Sequence, residues 1–166
     1  NGQQIAYIND IYLHIMDSDG TNDLRIDNVL ATGPIAWSPN GDQIALERSG
    51  DIYRLDLDDM SLTNLTNTPE EFDTSPEWSP DGNLLAFAST GDNPLISPID
   101  GELRFDIYTM GVTGNNLTKI PIGQGGITAL DSLNWLSSGV IVYSATLDGT
   151  VYSINISINT ISDLTP

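Results

Sequence analysis

The side chains of this chain that could do chemistry are mostly carboxylates. Asp17-Ser18-Asp19-Gly20-Thr21-Asn22-Asp23 places oxygen donors at alternate positions around a glycine, the spacing with which a calcium loop begins. Asp17, Asp19 and Asp23 are the ligands this implies, and calcium is the only cofactor the sequence suggests. The bidentate Glu that closes such a loop is missing, because position 28 is Asn. The same residues also suit a hairpin turn, for which Asp19-Gly20 is a signal, and that reading needs no metal. A second acidic group comprises Glu70, Glu71 and Asp73, with Asp92, Asp100 and Glu102 further on. It reads either as a solvated rim or as a docking face for a basic protein partner, with Ile96, Pro98, Ile99 and Leu103 as an apolar anchor.

Catalytic signatures fail. His14 is the only histidine and there is no cysteine, so neither a paired nucleophile nor a thiolate-ligated metal is available. His14 reads as a half-buried, hydrogen-bonded structural residue. No G-x-S-x-G elbow, G-x-x-x-x-G-K loop or H-E-x-x-H pair occurs. Gly123-Gln124-Gly125-Gly126 has no helix after it to hold a phosphate. The chain is therefore expected not to be an enzyme. Its net charge of -18 argues against nucleic acid and anionic membrane surfaces, which attract cationic side chains. No apolar run approaches the ~20 residues of a membrane helix, and no signal peptide is visible. Three N-x-S/T sequons begin at Asn64, Asn116 and Asn155; they are glycosylation acceptors only where the source glycosylates.

The elements that must position these residues are short strands. Apolar runs rich in Ile, Val, Tyr and Leu are separated by Gly, Asn, Asp and Pro, with almost no helical period. The runs repeat. QQIAYI, DQIALE, NLLAFA and GVIVYS each precede a strand centred on Tyr12, Tyr53, Tyr108 or Tyr152. Each of these leads to a polar turn and an outer strand (LRID, LTNLT, LTKI, ISDLT). Trp37, Trp78 and Trp135 follow the preceding Tyr by 25, 25 and 27 residues. One repeat carries an insertion, Thr90 to Arg104, read as a loop from its two Pro and two Gly. The unit is four antiparallel strands in about 41 residues, and copies stacked radially bury both faces, as in a propeller. Pro39 and Pro80 preset φ for the turn after Trp, and Gly41 and Gly82 supply positive φ.

SPEWSPDG, Ser75 to Gly82, with copies at Gly33 to Gly41 and Ser132 to Gly139, resembles the TolB-type β-propeller repeat. So does the longer stretch NLTNTPEEFDTSPEWSPDGNLLAFAS followed by DIYTM. The resemblance covers essentially the whole chain. The last copy departs from it at Leu136-Ser137-Ser138, where Ser-Pro-Asp is expected. The resemblance implies an all-β fold of four-stranded antiparallel blades, about four of them, over approximately 1–31, 32–68, 69–123 and 124–166. The chain is about a dozen residues short of four complete units, the length of one inner strand and its loop. Fifteen strands are therefore expected, with the first unit starting at the turn that follows its first strand, and an arc of a six- to eight-bladed ring fits better than a closed ring of four.

For function, repeats, acidity and resemblance together imply a non-catalytic scaffold binding a protein partner outside the cytoplasm, as in periplasmic, secreted or surface proteins. Two other readings stand beside it. One is an accessory or gating propeller of a larger hydrolase of the prolyl oligopeptidase kind. The other is a structural subunit completed by intermolecular strand pairing at an open edge.

Overall fold

The structure is a computed structural model and describes residues 2–91, 103–122, 127–128, 130–137, 139–145, 150–157 and 160–164. All regular elements among them are strands. The first sheet holds β1 (Gln4–Asn9), β2 (Tyr12–Asp17) and β3 (Leu24–Leu30). The second holds β4 (Ile35–Trp37), β5 (Gln43–Arg48), β6 (Asp51–Asp56) and β7 (Leu62–Asn64). The third holds β8 (Asp73–Trp78), β9 (Leu84–Ser89), β10 (Arg104–Gly111) and β11 (Thr118–Ile120). β12 (Ile127–Thr128) pairs back onto the start of β10. The fourth sheet holds β13 (Leu130–Ser137), β14 (Val140–Ala145), β15 (Val151–Asn155) and β16 (Thr160–Asp163). Every pairing among the described residues is antiparallel, and all but that of β12 join chain neighbours. The expected fifteen blade strands are present, and β12 is an addition that the repeat does not contain.

The turns after Trp37 and Trp78 explain why the repeat is written as it is. Gly41 and Gly82 sit at φ of 80° and 72°, where a side chain is strained, and their N–H groups donate to the Ser38 and Ser79 carbonyls. The two serines are buried and lock the turn from inside. Ser38 Oγ accepts from Gln43 N, and Ser79 Oγ accepts from Leu84 N, each at 2.9 Å. Asp81 takes the Ser79 hydroxyl at 2.7 Å, and this bond leads the effects that lower its pKa. In β8, Ser75-Pro76 interrupts the ladder. Proline cannot donate to it, and the register shifts between Thr74 and Glu77 with Ser75 at φ 54°.

Burial is organised between sheets. Leu13, Ile15 and Ile26 of the first sheet pack on Ile44, Leu46 and Leu55 of the second. Ile52 and Leu65 of the second pack on Trp78, Phe87, Tyr108 and Met110 of the third. Ile107 and Ala86 of the third pack on Trp135, Ile141 and Ile154 of the fourth. Four sheets share three cores among the described residues, and none joins the fourth sheet to the first. A closed ring of four would need that fourth core, so the described sheets form an arc, a partial propeller.

Alternation along the middle strand sends Leu55 to the first sheet and Ile52 to the third. Two-residue alternation aligns Tyr12, His14 and Met16 with Tyr53, Leu55 and Leu57 of the next repeat as one column. In the first sheet that column faces away from the second sheet, because Leu13 and Ile15 supply the shared core. His14 therefore packs on Tyr7 across the pair, with ring centroids 5.0 Å apart, rather than in an inter-sheet core.

Candidate functional site

The groove between the second and third sheets holds a cavity of about 60 Å³, room for a few waters or the head of one side chain. One wall is apolar: Leu65 from the end of the second sheet, and Phe87, Tyr108 and Met110 from the third. Phe87 and Tyr108 stack at 5.8 Å and 23°. Leu117 is 57% exposed and carries the lining out to the surface. The other wall is polar: Thr66, Thr68, Glu71, Asp73 and Ser89.

Strand ends build the polar wall. Asp51, the first residue of β6, accepts from Thr68 N at 2.9 Å and from Asn64 Nδ2 at 2.8 Å, so it pins the connection leaving β7. That connection turns at Glu71, whose N–H donates to the Thr68 carbonyl. Phe72 then exchanges bonds with Thr90: its N–H donates to Thr90 Oγ1 at 2.8 Å, and its carbonyl accepts from Thr90 N at 3.1 Å. The loop entering β8 and the start of the insertion after β9 are thereby held together.

Asp73 is only 1% exposed. Thr68 Oγ1 donates to its Oδ2 at 2.6 Å, and its Oδ1 has no hydrogen-bond partner. A buried carboxylate oxygen without a donor is costly; Asp73 lines the cavity, but this oxygen is sealed from solvent. Ser89 Oγ donates to Glu71 Oε2 at 3.3 Å across the same wall.

This revises the acidic group read from the sequence. Glu70 is exposed and Glu71 half-buried, as a rim requires. Asp73 is not a loop residue at the surface; it opens strand β8 and lies inside, because the strand's first side chain turns toward the inter-sheet groove. Leu103 is exposed. Asp92, Ile96, Pro98, Ile99, Asp100 and Glu102 lie outside the described residues.

The three aspartates around the turn from β2 to β3 do not converge. Asp17 accepts from Asn22 Nδ2 at 2.7 Å, Asp19 from Thr21 N at 2.9 Å, and Asp23 from Tyr7 Oη at 2.7 Å. Asp23 also meets His14 Nδ1 at 3.0 Å. The bond from Tyr7, then that from His14, holds the Asp23 carboxyl below its usual pKa, and the same Asp23 contact raises that of Tyr7. Among the described residues no group of three or more His, Asp or Glu is spaced to hold a metal ion. Each aspartate instead ties down the turn by a different bond.

The sequon asparagines differ. Asn64 is half-buried, and the nitrogen that would carry a glycan donates to Asp51 and, at 3.2 Å, to Tyr53 Oη. Asn116 is exposed, at φ 55°. Asn155 Oδ1 accepts from Ser157 N at 3.1 Å.

Against solved structures the arc has clear matches. It superposes on TolB from Acinetobacter baumannii with a TM-score of 0.71 and 19% identity, covering 93% of this chain and 37% of that one. It superposes on a putative TolB from Agrobacterium tumefaciens with a TM-score of 0.74 and 19% identity, covering 99% of this chain and 61% of that one. Its fold is that of a TolB-like β-propeller. A more distant match is Porphyromonas gingivalis dipeptidyl peptidase 4, with a TM-score of 0.61 and 10% identity over 92% of this chain and 28% of that one. The TolB-like arc thus spans less than two thirds of either TolB chain. No family model matches the sequence, and no curated protein matches it. No helix among the described residues is long and apolar enough to cross a membrane.

Two features of the site were not read from the sequence. The cavity has no local signature, since its walls come from five separate stretches of chain. The Thr-x-x-x-x-Asp relation of Thr68 to Asp73 is visible in the sequence, but only folding shows that one oxygen stays unpaired.

Proposed function

We propose that this TolB-like propeller is a non-catalytic scaffold that docks a basic protein partner outside the cytoplasm, through the groove between its second and third sheets. The observation that carries this is a groove lined by Glu71 and the buried Asp73 beside the apolar Leu65, Phe87, Tyr108 and Met110, with the exposed Glu70 next to Glu71 in the chain. Cationic groups complement such a groove, and apolar surface anchors them. The extracytoplasmic setting is supported by the acidic charge and the resemblance to a periplasmic family. The test is retention of a partner from the extracytoplasmic fraction of the native source on immobilised protein. Retention by the wild type and its loss in Glu70→Lys/Glu71→Lys is expected, as is loss on deleting residues 93–101 with the fold intact. A protein that retains nothing under any salt condition overturns the reading.

Two other readings have an observation behind them. The likeness to part of dipeptidyl peptidase 4 favours a propeller that gates a larger hydrolase. A nucleophile elbow in flanking sequence of the same reading frame is the observation that decides it. The inner edge of β1, which bonds only to β2 among the described residues, favours self-association by strand pairing. Sedimentation separates that reading from the rest, since a clean monomer excludes it.

A further inference from the structure

We infer that the open groove between the first and second sheets docks a basic peptide segment, seating one large aliphatic side chain beside Leu24 and Met60 with cationic residues flanking it. This surface is separate from the groove between the second and third sheets and does not depend on it. It encloses about 440 Å³. Ile15 and Ile26, from the core shared by the two sheets, and Leu57, packed against that core, form its floor. Leu24, the first residue of β3, and Met60, in the turn from β6 to β7, border it and are 60% and 36% exposed.

Met60 stands where the neighbouring turns carry glycine. Each of the turns after β2, β6 and β10 is closed by one backbone bond, from Asp17 N to the Thr21 carbonyl, Asp56 N to the Ser61 carbonyl and Gly111 N to the Asn115 carbonyl. The residue just before the accepting one is Gly20, Met60 or Gly114, at φ of 85°, 59° and 81°. A Cβ is disfavoured in this left-handed region. Of these three turns only the second carries one, and its flexible apolar side chain lies at the groove rather than in a core. The charge of the groove selects the partner. Asp17, Asp42 and Asp58 line it, and no lining residue among those described is cationic. Asp17 accepts from Asn22, and Asp42 from Ser38 and Asn40, so these bonds bring no positive charge to the rim. Asp58 is exposed, and its carboxylate accepts no hydrogen bond among the described residues. The three are not spaced to hold a metal ion, so the complement is a set of separate cations on a flexible chain, attracted by the field of the rim while the apolar side chain anchors them.

The test titrates the whole chain with a capped pentapeptide, one leucine between two pairs of lysines, and with two controls: alanine in place of the leucine, and glutamates in place of the lysines. The leucine peptide is expected to bind saturably, to shift the Leu24 and Met60 methyl resonances and to bind more weakly as salt rises. Each control should bind at least about tenfold more weakly. Met60→Gly suits the backbone of its turn and removes the side chain, so it should lose at least about tenfold in binding with an unchanged circular dichroism spectrum. Asp58→Lys should weaken binding and flatten its salt dependence. Glu70→Lys/Glu71→Lys, at the other groove, should bind the peptide as the wild type does. No saturable binding of the leucine peptide, equal binding of the alanine control, or unchanged binding by Met60→Gly overturns the inference. Loss of the peptide in Glu70→Lys/Glu71→Lys also overturns it, by moving the site to the other groove. If Met60→Gly does not fold, Asp58→Lys replaces it, and unchanged binding by that variant counts against the groove.

Discussion

Two buried carboxylates meet at the inner strand β8, Glu47 from β5 and Asp73 at its own start, and their surroundings differ. Glu47, 5% exposed, has both oxygens occupied: Thr32 Oγ1 donates to Oε1 at 3.3 Å and Thr74 Oγ1 donates to Oε2. Gly33 presses so close that an added Cβ would meet the Glu47 carboxylate at 2.2 Å. Asp73 has one oxygen occupied, by Thr68, and the other unpaired beside a cavity. Both use a threonine hydroxyl from the strand entry to hold a carboxylate. In the first case the device is closed and ties the second sheet to the third. In the second one carboxylate oxygen is left without a donor.

The largest effect should separate these two. Glu47→Ala is expected to cost about 2–3 kcal/mol in urea unfolding, because it removes a buried carboxylate that accepts from Thr74 within the junction and from the exposed Thr32 at its edge. Asp73→Ala should cost only about 1 kcal/mol, since one lost bond is offset by removal of an unpaired buried oxygen. Equal costs would break the comparison. The same logic applies one step around the arc. Trp78 Nε1 donates to the Ala36 carbonyl at 3.1 Å across the second junction, whereas the buried Trp135 Nε1 has no partner at the third. Trp78→Phe should therefore cost about 1–2 kcal/mol and Trp135→Phe roughly half that. A reversed order would show that ring packing, not the N–H, decides both.

The smallest effect concerns Glu77, on β8 between the two junctions. Burial raises its carboxyl pKa from the usual 4.5, partly opposed by the hydrogen bond from the Trp135 backbone. A raised folded value means the protonated form is favoured in the native state. Its contribution to stability is present below pH 4.5 and is lost as pH rises through the higher folded value. Glu77→Gln, which stays neutral, should then stabilise the protein at pH 7 by less than about 1 kcal/mol and have no effect in acid. A melting-temperature series over pH measures it, and a constant difference between the two proteins at every pH would assign the effect to packing instead.

Much of this arrangement was legible before folding. The Tyr-to-Trp spacings, the Pro-Asn-Gly and Pro-Asp-Gly turns and the two-residue alternation are local, and local signals carry turn type, strand order and repeat length. The acidic mouth was half legible. Glu70 and Glu71 stand where a rim was expected, but Asp73 was read as the same kind of residue because charge and sequence position do not report which way a strand's first side chain turns. His14 shows the same limit. Alternation groups it with Tyr12 and Met16, yet a face is buried only where another sheet covers it.

The sequence by itself thus determined the repeating unit, since each blade's turns and strands follow from residues within about 40 positions of one another. The tertiary structure decided which strand faces meet, which carboxylates are closed by hydroxyls, and where a cavity remains between sheets. Those properties arise from contacts between Thr68 and Asp73, Thr74 and Glu47, or Leu65 and Phe87, and they exist only once separate blades are brought side by side.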